Sequence, residues 1–149
     1  MVRTAFLPSD DAVLYAYHLP DNAMAVELRA TAQLLSALDG EPRVTLARDL
    51  LALAKEIDAG IKAHGIVTHL RLGERVLAMT VDGFGNAEFA DDANIPGLLS
   101  LPMLGYTPGE DPVYVATRRY VLSEETNPYY YGPGLTGLAG VGSQDIGGH

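Results

Sequence analysis

Cysteine and tryptophan are absent from the 149-residue chain, and basic residues are scarce: 10 Lys and Arg stand against 19 Asp and Glu, a formal net charge of −9. Without cysteine there is no disulfide scaffold, no thiolate zinc site and no cysteine nucleophile. The shortage of bases argues against nucleic acid as a partner, because binding phosphates requires a basic face. No apolar run approaches the roughly 20 residues of a membrane span, so no membrane partner is expected. The N-terminal stretch MVRTAFLPSDDAV lacks the apolar segment of a signal peptide, and no Asn-X-Ser/Thr acceptor occurs. A cytoplasmic location is expected for the chain as it stands.

What is present is a globular composition. Apolar residues make up 48% of the chain, a share that favours a packed core over disorder. The length suits one domain, which at this size buries about 68–70% of the surface its unfolded chain exposes. The acidic balance suits a neutral ligand such as a sugar, or a cation; it also serves as plain solubilising charge.

Residues 1–20 hold Pro8 and Pro20 and show no helical period, which predicts a loop with an extended piece at Ala12–Tyr17. Asp21 is placed to cap a helix over Asn22–Leu38, stopped by Gly40. Its apolar residues leave little polar face, so burial on most sides is expected. A second helix runs from near Pro42 to about His64 and ends at Gly65. Leu46, Leu50, Leu53, Ala54, Ile57 and Ile61 form one stripe, with charges over the rest, as on an amphipathic surface helix. The two helices read as a hairpin with one inner and one outer member. Ile66–Leu72 and Arg75–Val81 read as a β-hairpin turning near Gly73. A short helix is expected at Ile95–Leu101 with Pro96 in its first turn, and another after Asp111, with Pro112 at its first position, reaching Leu122 or Ser123. From Thr126 onward seven glycines and two prolines predict loop.

Three places carry chemistry. Asp10 and Asp11 are adjacent carboxylates in a loop, able to raise one another's pKa as a general acid requires, or simply to cap a turn. The segment DGFGNAEFADDANIPG offers Asp82, Asn86, Glu88, Asp91, Asp92 and Asn94. Such oxygen density would suit calcium, but the EF-hand spacing is not met. A fan of carboxylates and amides also suits sugar hydroxyls, and Asp and Asn in a loop also bond their own backbone. Gly83 and Gly85 supply the positive φ of a tight loop. Tyr129, Tyr130 and Tyr131 offer flat faces for a sugar ring, or core packing. His18, His64, His69 and His149 are scattered and match no zinc pattern, so no metal site is expected.

These segments together resemble glycoside hydrolase family 125. FLPSDDA followed by LPDNAMAVELRATAQLL is similar to the family's F-R-P-S-D-D-A and I-P-x-N-x-x-A-V-x-E-L-R stretch. TVDGFGNAEFADDANIPGLLSLPMLGY is similar to its V-D-G-F-G-N and D-D-A-N-x-P-S-L-L-S-L-P-Y-L-G-Y block. RRYVLSEETNPYYYGPGLTGLAGVGS is similar to its N-P-Y-Y and glycine-rich segments. The likeness covers almost the whole chain. Leu7 stands where the family has Arg, Ala90 where it has Met, and Gly97 where it has Ser.

The resemblance implies an all-α fold: residues 1–149 as the central piece of an (α/α)6 barrel, an incomplete toroid of helical hairpins, with one small β-hairpin. It implies an inverting, metal-independent exo-α-1,6-mannosidase that needs no cofactor. Asp10 or Asp11 would be the general acid. Asp82, Asn86, Asp91, Asp92 and Asn94 would line the pocket for a terminal mannose. An inverting glycosidase needs a second carboxylate about 6.5–9.5 Å from the acid. The resemblance places that Glu in a block beyond GSQDIGGH, so this chain alone is expected not to turn over. A carbohydrate-binding remnant and a non-functional truncated product are the alternatives. A complementary fragment, or self-association through an exposed barrel face, is the expected protein partner.

Overall fold

The computed structural model describes residues 1–38, 41–132 and 139–142. Gly40, the terminal stretch GSQDIGGH from Gly142 onward and His149 were singled out in the sequence; of these, only Gly142 lies within the described residues. Strand β1 is Tyr17–His18, and helix α1, Leu19–Val26, follows it without a gap. The helix therefore begins three residues before the expected start, and Asp21 is not its cap. Pro20, with its fixed φ and missing N–H, fits the first turn, so the helix can open ahead of Asp21. Asp21 Oδ2 instead lies 3.0 Å from His18 Nδ1.

The expected single helix is two. It breaks at Glu27, where Glu27 N–H donates to Met24 O and Ala30 N–H to Glu27 O, the i→i−3 bonds of a tightened turn. Helix α2, Leu28–Ser36, resumes beyond it. Arg29 grips the Glu27 carboxylate at 2.6 Å across this bend. Burial on most sides holds for α1, whose Leu19, Ala23 and Val26 are inside, and fails for α2, which buries only Ala32. Leu34 is 72% exposed and Leu38 53%.

Helix α3, Glu41–Gly60, continues as a π turn over Ile61–Gly65, close to the expected span. Of its apolar stripe, Ala54, Ile57 and Ile61 are buried, while Leu46 and Leu53 stay largely in solvent. Thus α3 buries its stripe in its C-terminal half, while in its N-terminal half, with α2 packed along it and Ala47 buried, leucines of the stripe stay exposed.

The expected hairpin is present and shorter: β2, Ile66–Thr68, pairs antiparallel with β3, Arg75–Leu77, and Ile66 faces Leu77. The fold is nevertheless not purely helical, because this hairpin is one of three small sheets among the described residues. Strand β4, Thr80–Val81, leaves it to pair with β1 on one side and β5, Ala87–Glu88, on the other. The extra hairpin follows from local chemistry, since Asp-Gly and Gly-Asn frame the turn between β4 and β5. Its Gly83 and Gly85 have φ of 83° and 110°, as expected.

In place of the expected helix at 95–101 there is one 3₁₀ turn, Leu98–Ser100, and Pro96 precedes it across a cis Ile95–Pro96 peptide. Helix α4, Pro112–Val121, starts where expected, with Asp111 Oδ1 accepting from Val113 and Tyr114 N–H. Two side chains pin α4 to β3. Leu77 N–H donates to Thr117 Oγ1 at 2.8 Å, and Tyr120 OH donates to Leu77 O at 2.9 Å. The expected C-terminal loop contains one further pair, β6, Tyr130–Tyr131, against β7, Gly140–Val141. The core runs between α1, the end of α3, β3–β4 and α4, around Leu19, Ile61, Met79, Leu98 and Tyr120. Leu7 and Ala90 enter it from the segments around them, and Phe89 and Tyr129 pack against it.

Candidate functional site

Phe6 and Ala12 form an isolated antiparallel bridge, closing the loop that carries the adjacent aspartates. Within it Asp10 has φ of 68°, a left-handed conformation that Asp tolerates better than most residues. Its N–H donates to Leu7 O, and Leu7 N–H donates to Asp11 O. Asp10 is a turn residue with an exposed side chain. Asp11 is half-buried, and its Oδ2 is shielded from solvent without a hydrogen-bond partner among the described residues. The loop thus sends its two carboxylates to different surroundings.

Asp82 and Asn86 close the β4–β5 turn on itself. Asp82 Oδ1 accepts from the N–H groups of Phe84 and Asn86 at 2.7 and 3.0 Å, and Oδ2 accepts from Asn86 Nδ2 at 2.6 Å. The Asn86 amide and the Phe84 N–H hold the Asp82 carboxyl below its ordinary pKa. Phe84 projects from the tip, 94% exposed. Asp82 faces a cleft of about 370 Å³ that it shares with Tyr17, Glu56 and His64.

Asp91 and Asp92 diverge although adjacent. Asp91 is buried and its Oδ2 accepts from Leu98 N–H at 2.9 Å, at the start of the 3₁₀ turn. Burial, reinforced by the charge of Asp92, pushes its carboxyl up to about 8, against the opposing hydrogen bond from Leu98. Gly97 is closely confined here. A Cβ on it would lie 2.9 Å from Asn94 O and 3.2 Å from Asp91 Oδ1, so the serine that the resemblance expects at this position would force a shift. Asp92 turns the other way, accepting from Asn94 N–H at 2.9 Å and Asn94 Nδ2 at 3.1 Å. Asp92, itself buried, and Asn94 line a largely apolar cavity of about 360 Å³ whose other walls include Leu99, Ser100, Met103 and Val141.

The phenol of Tyr129 ties two of these regions together. Its pKa is raised, first by burial and then by the charges of Glu88, Asp92 and Asp11. Carboxylates from β5, the stretch after it and the 7–12 loop therefore lie within electrostatic reach of one hydroxyl. Asp11 and Asp92 both act electrostatically on it, whereas Asp82 lines a different cleft. Glu88 and Tyr129 are candidates from the sequence that the resemblance does not place in the mannose pocket. Glu88 accepts from Thr80 Oγ1 at 2.7 Å. Its placement on β5, next to the site, is readable only once the β4–β5 hairpin is recognised. Tyr129 packs its ring against the core, and Tyr131 is exposed, so the three tyrosines do not act as one platform.

The histidines sit apart. His69 is buried between Tyr120, stacked at 5.4 Å, and Phe89, edge-on at 4.7 Å, and burial lowers its pKa. Among the described residues no group of three His, Asp or Glu side chains is placed to hold a metal ion. None of their helices is long and apolar enough to cross a membrane.

Comparison with known proteins finds similar chains over nearly the whole length. The fission yeast (Schizosaccharomyces pombe) meiotically up-regulated gene 157 protein is 47% identical over 150 residues, which is 99% of this chain and 28% of that protein. A Streptococcus pneumoniae metal-independent α-mannosidase, solved as a non-productive substrate complex with α-1,6-mannobiose, superposes with a TM-score of 0.88 at 42% identity, over 97% of this chain and 33% of that one. The chain thus spans a third or less of the length of either relative. The family model described as metal-independent alpha-mannosidase (GH125) matches residues 1–149, and it is to this glycoside hydrolase family that the chain belongs.

Proposed function

We propose that this chain forms the terminal-mannose side of an exo-α-1,6-mannosidase that acts with inversion. The observation that carries the reading is the likeness to the pneumococcal enzyme, close over nearly the whole chain, in a structure that holds α-1,6-mannobiose. Asp11 rather than Asp10 is the general acid. Asp10 is committed to its turn and to solvent, while Asp11 holds a shielded, unpartnered carboxylate oxygen and acts on the same phenol as Asp92. Such an acid protonates the glycosidic oxygen as the bond to the anomeric carbon breaks. Asp92 and Asn94 meet the mannose hydroxyls from the cavity wall, and Asp91, held behind them, fixes the loop. Asp82 and Asn86 shape the neighbouring turn, with Asp82 offering an ionised acceptor to a hydroxyl in its own cleft.

Inversion requires a second carboxylate to activate water on the opposite face of the sugar. With the chain covering a third or less of either relative, we place that group outside these 149 residues. The chain alone then binds α-mannoside and does not hydrolyse it. Proton NMR of α-1,6-mannobiose incubated with the purified chain tests this through the anomeric signals. The expected result is no free mannose above the protein-free control. Release that disappears in Asp11→Asn and gives β-mannose first would confirm the acid and overturn the incompetence. Release unaffected by Asp11→Asn would overturn the acid assignment.

A further inference from the structure

One buried amide joins three segments, among them the Asp91–Asp92 stretch that the proposed reaction uses, and the mechanism above leaves it without a role. Asn127 is 1% exposed and lies beyond the C-terminus of α4. Its Nδ2 donates to Val121 O and to Asp91 O, each at 2.9 Å. Its Oδ1 accepts from Asp91 N–H at 3.3 Å and from Tyr129 N–H at 3.2 Å. The amide thereby meets two carbonyls with its donors and two N–H groups with its acceptor, using its whole hydrogen-bonding capacity. The pattern also fixes which way the amide points, since a flipped group would set oxygen against two carbonyls.

These four bonds link the last turn of α4, the Asp91–Asp92 backbone 36 residues earlier in the chain, and the start of the tyrosine run. The Asp91 peptide is held from both its N–H and its C=O, as a strand partner would hold it, although no strand is there. The next residue, Asp92, is the one that lines the cavity. The residue two beyond Asn127 is Tyr129, whose phenol lies in the field of Asp92, Asp11 and Glu88. One side chain thus ties the two stretches together, beside a backbone link in which Ala93 N–H donates to Gly142 O and Gly142 N–H to Tyr129 O.

We propose that Asn127 is a positioning residue for the mannoside cleft, holding Asp92 and Tyr129 in fixed register from behind without touching the sugar. The proposal rests on the mannoside reading for its purpose, but its geometry is separately measurable. No other amino acid supplies two donors and two acceptors in this compass. Asn127→Asp keeps the shape but turns lone pairs toward the Val121 and Asp91 carbonyls. Asn127→Ser keeps one hydroxyl and introduces no charge.

The test uses the full chain with ¹³Cζ-labelled tyrosine, the Tyr129 resonance being assigned by its loss in Tyr129→Phe. Far-UV circular dichroism and thermal melts establish which variants fold. In a folded Asn127→Ser or Asn127→Asp chain, Tyr129 is expected to titrate closer to the ordinary tyrosine value, because it loses the burial, and moves away from the carboxylates, that raise it. The Kd for α-1,6-mannobiose is expected to weaken about tenfold or more, as loss of a supporting contact around a binding group does. An unchanged Tyr129 titration in a folded variant would overturn the proposal. Loss of the folded state in both variants would also overturn it, making Asn127 a folding residue only. Should the unsubstituted chain fail to bind mannobiose while the Tyr129 titration shifts as expected, the mannoside reading falls and the register role stands.

Discussion

Asp91 shows most clearly what a single position contributes to this fold. A carboxyl buried to 1% exposure beside a second aspartate cannot carry its charge at low cost, and its pKa moves from the ordinary 3.8 to about 8. Between those values the folded chain keeps a proton that the unfolded chain has released. Stability conferred by that proton is complete below about pH 4, declines as pH rises toward 8, and is gone above it. Asp91→Asn carries a permanent neutral group of the same shape, so it should remove this slope. We expect the melting temperature of the unsubstituted chain to fall by several degrees more than that of Asp91→Asn between pH 5 and pH 8, since about 1 kcal/mol moves it by about 2–4 °C at this size. Parallel melting curves for the two proteins across that range would show that Asp91 is not the titrating group. The sequence could mark Asp91 and Asp92 as a pair but could not separate them. Their roles differ because one side chain points to the Leu98 N–H and the other to Asn94.

At the scale of elements, capping chemistry was legible and tertiary cover was not. Asp111-Pro112 announced the start of α4, and Asp111 Oδ1 takes the two N–H groups expected of it. Pro42 and Gly65 bracketed the long helix. The region after Pro20 was misjudged because an alanine- and leucine-rich stretch reads as one buried helix, whereas Pro20 admits an earlier start and the Glu27–Arg29 contact accompanies a break. The 82–88 segment was read as an acidic loop because its Asp and Asn residues drew attention from the hairpin turn they build. Burial of α2 and the first half of α3 was overestimated for a simpler reason. Periodicity says which face is apolar, not whether anything covers it. Leu34, Val44, Leu46, Leu51 and Leu53 are each more than 40% exposed on this hairpin. Apolar surface of this extent favours association. Sedimentation velocity of the isolated chain should show a concentration-dependent rise in sedimentation coefficient that Leu34→Glu with Leu46→Glu reduces. A monomer of unchanging coefficient at all concentrations would mean that these side chains are harmless in water.

At the scale of the whole molecule, the acidic balance and the lack of cysteine pointed away from nucleic acid, disulfides and thiolate chemistry, but not toward a particular ligand. That direction came from contiguous motifs, whose family the comparisons bear out. The convergence of distant loops lay beyond the sequence. Asp11, Glu88 and Asp92 act electrostatically on Tyr129 because the 7–12 loop, β5, the Asp91–Asp92 stretch and the segment after α4 pack on one core, and Asn127 fastens two of these segments. The central claim is that this convergence recognises α-mannoside. Titration of the chain with α-1,6-mannobiose, followed by tyrosine fluorescence and isothermal calorimetry, tests it most directly. We expect one saturable site in the unsubstituted chain, weakened by Asp92→Asn and left unchanged by Asp10→Asn. The absence of saturable binding, or binding indifferent to Asp92→Asn, would contradict it.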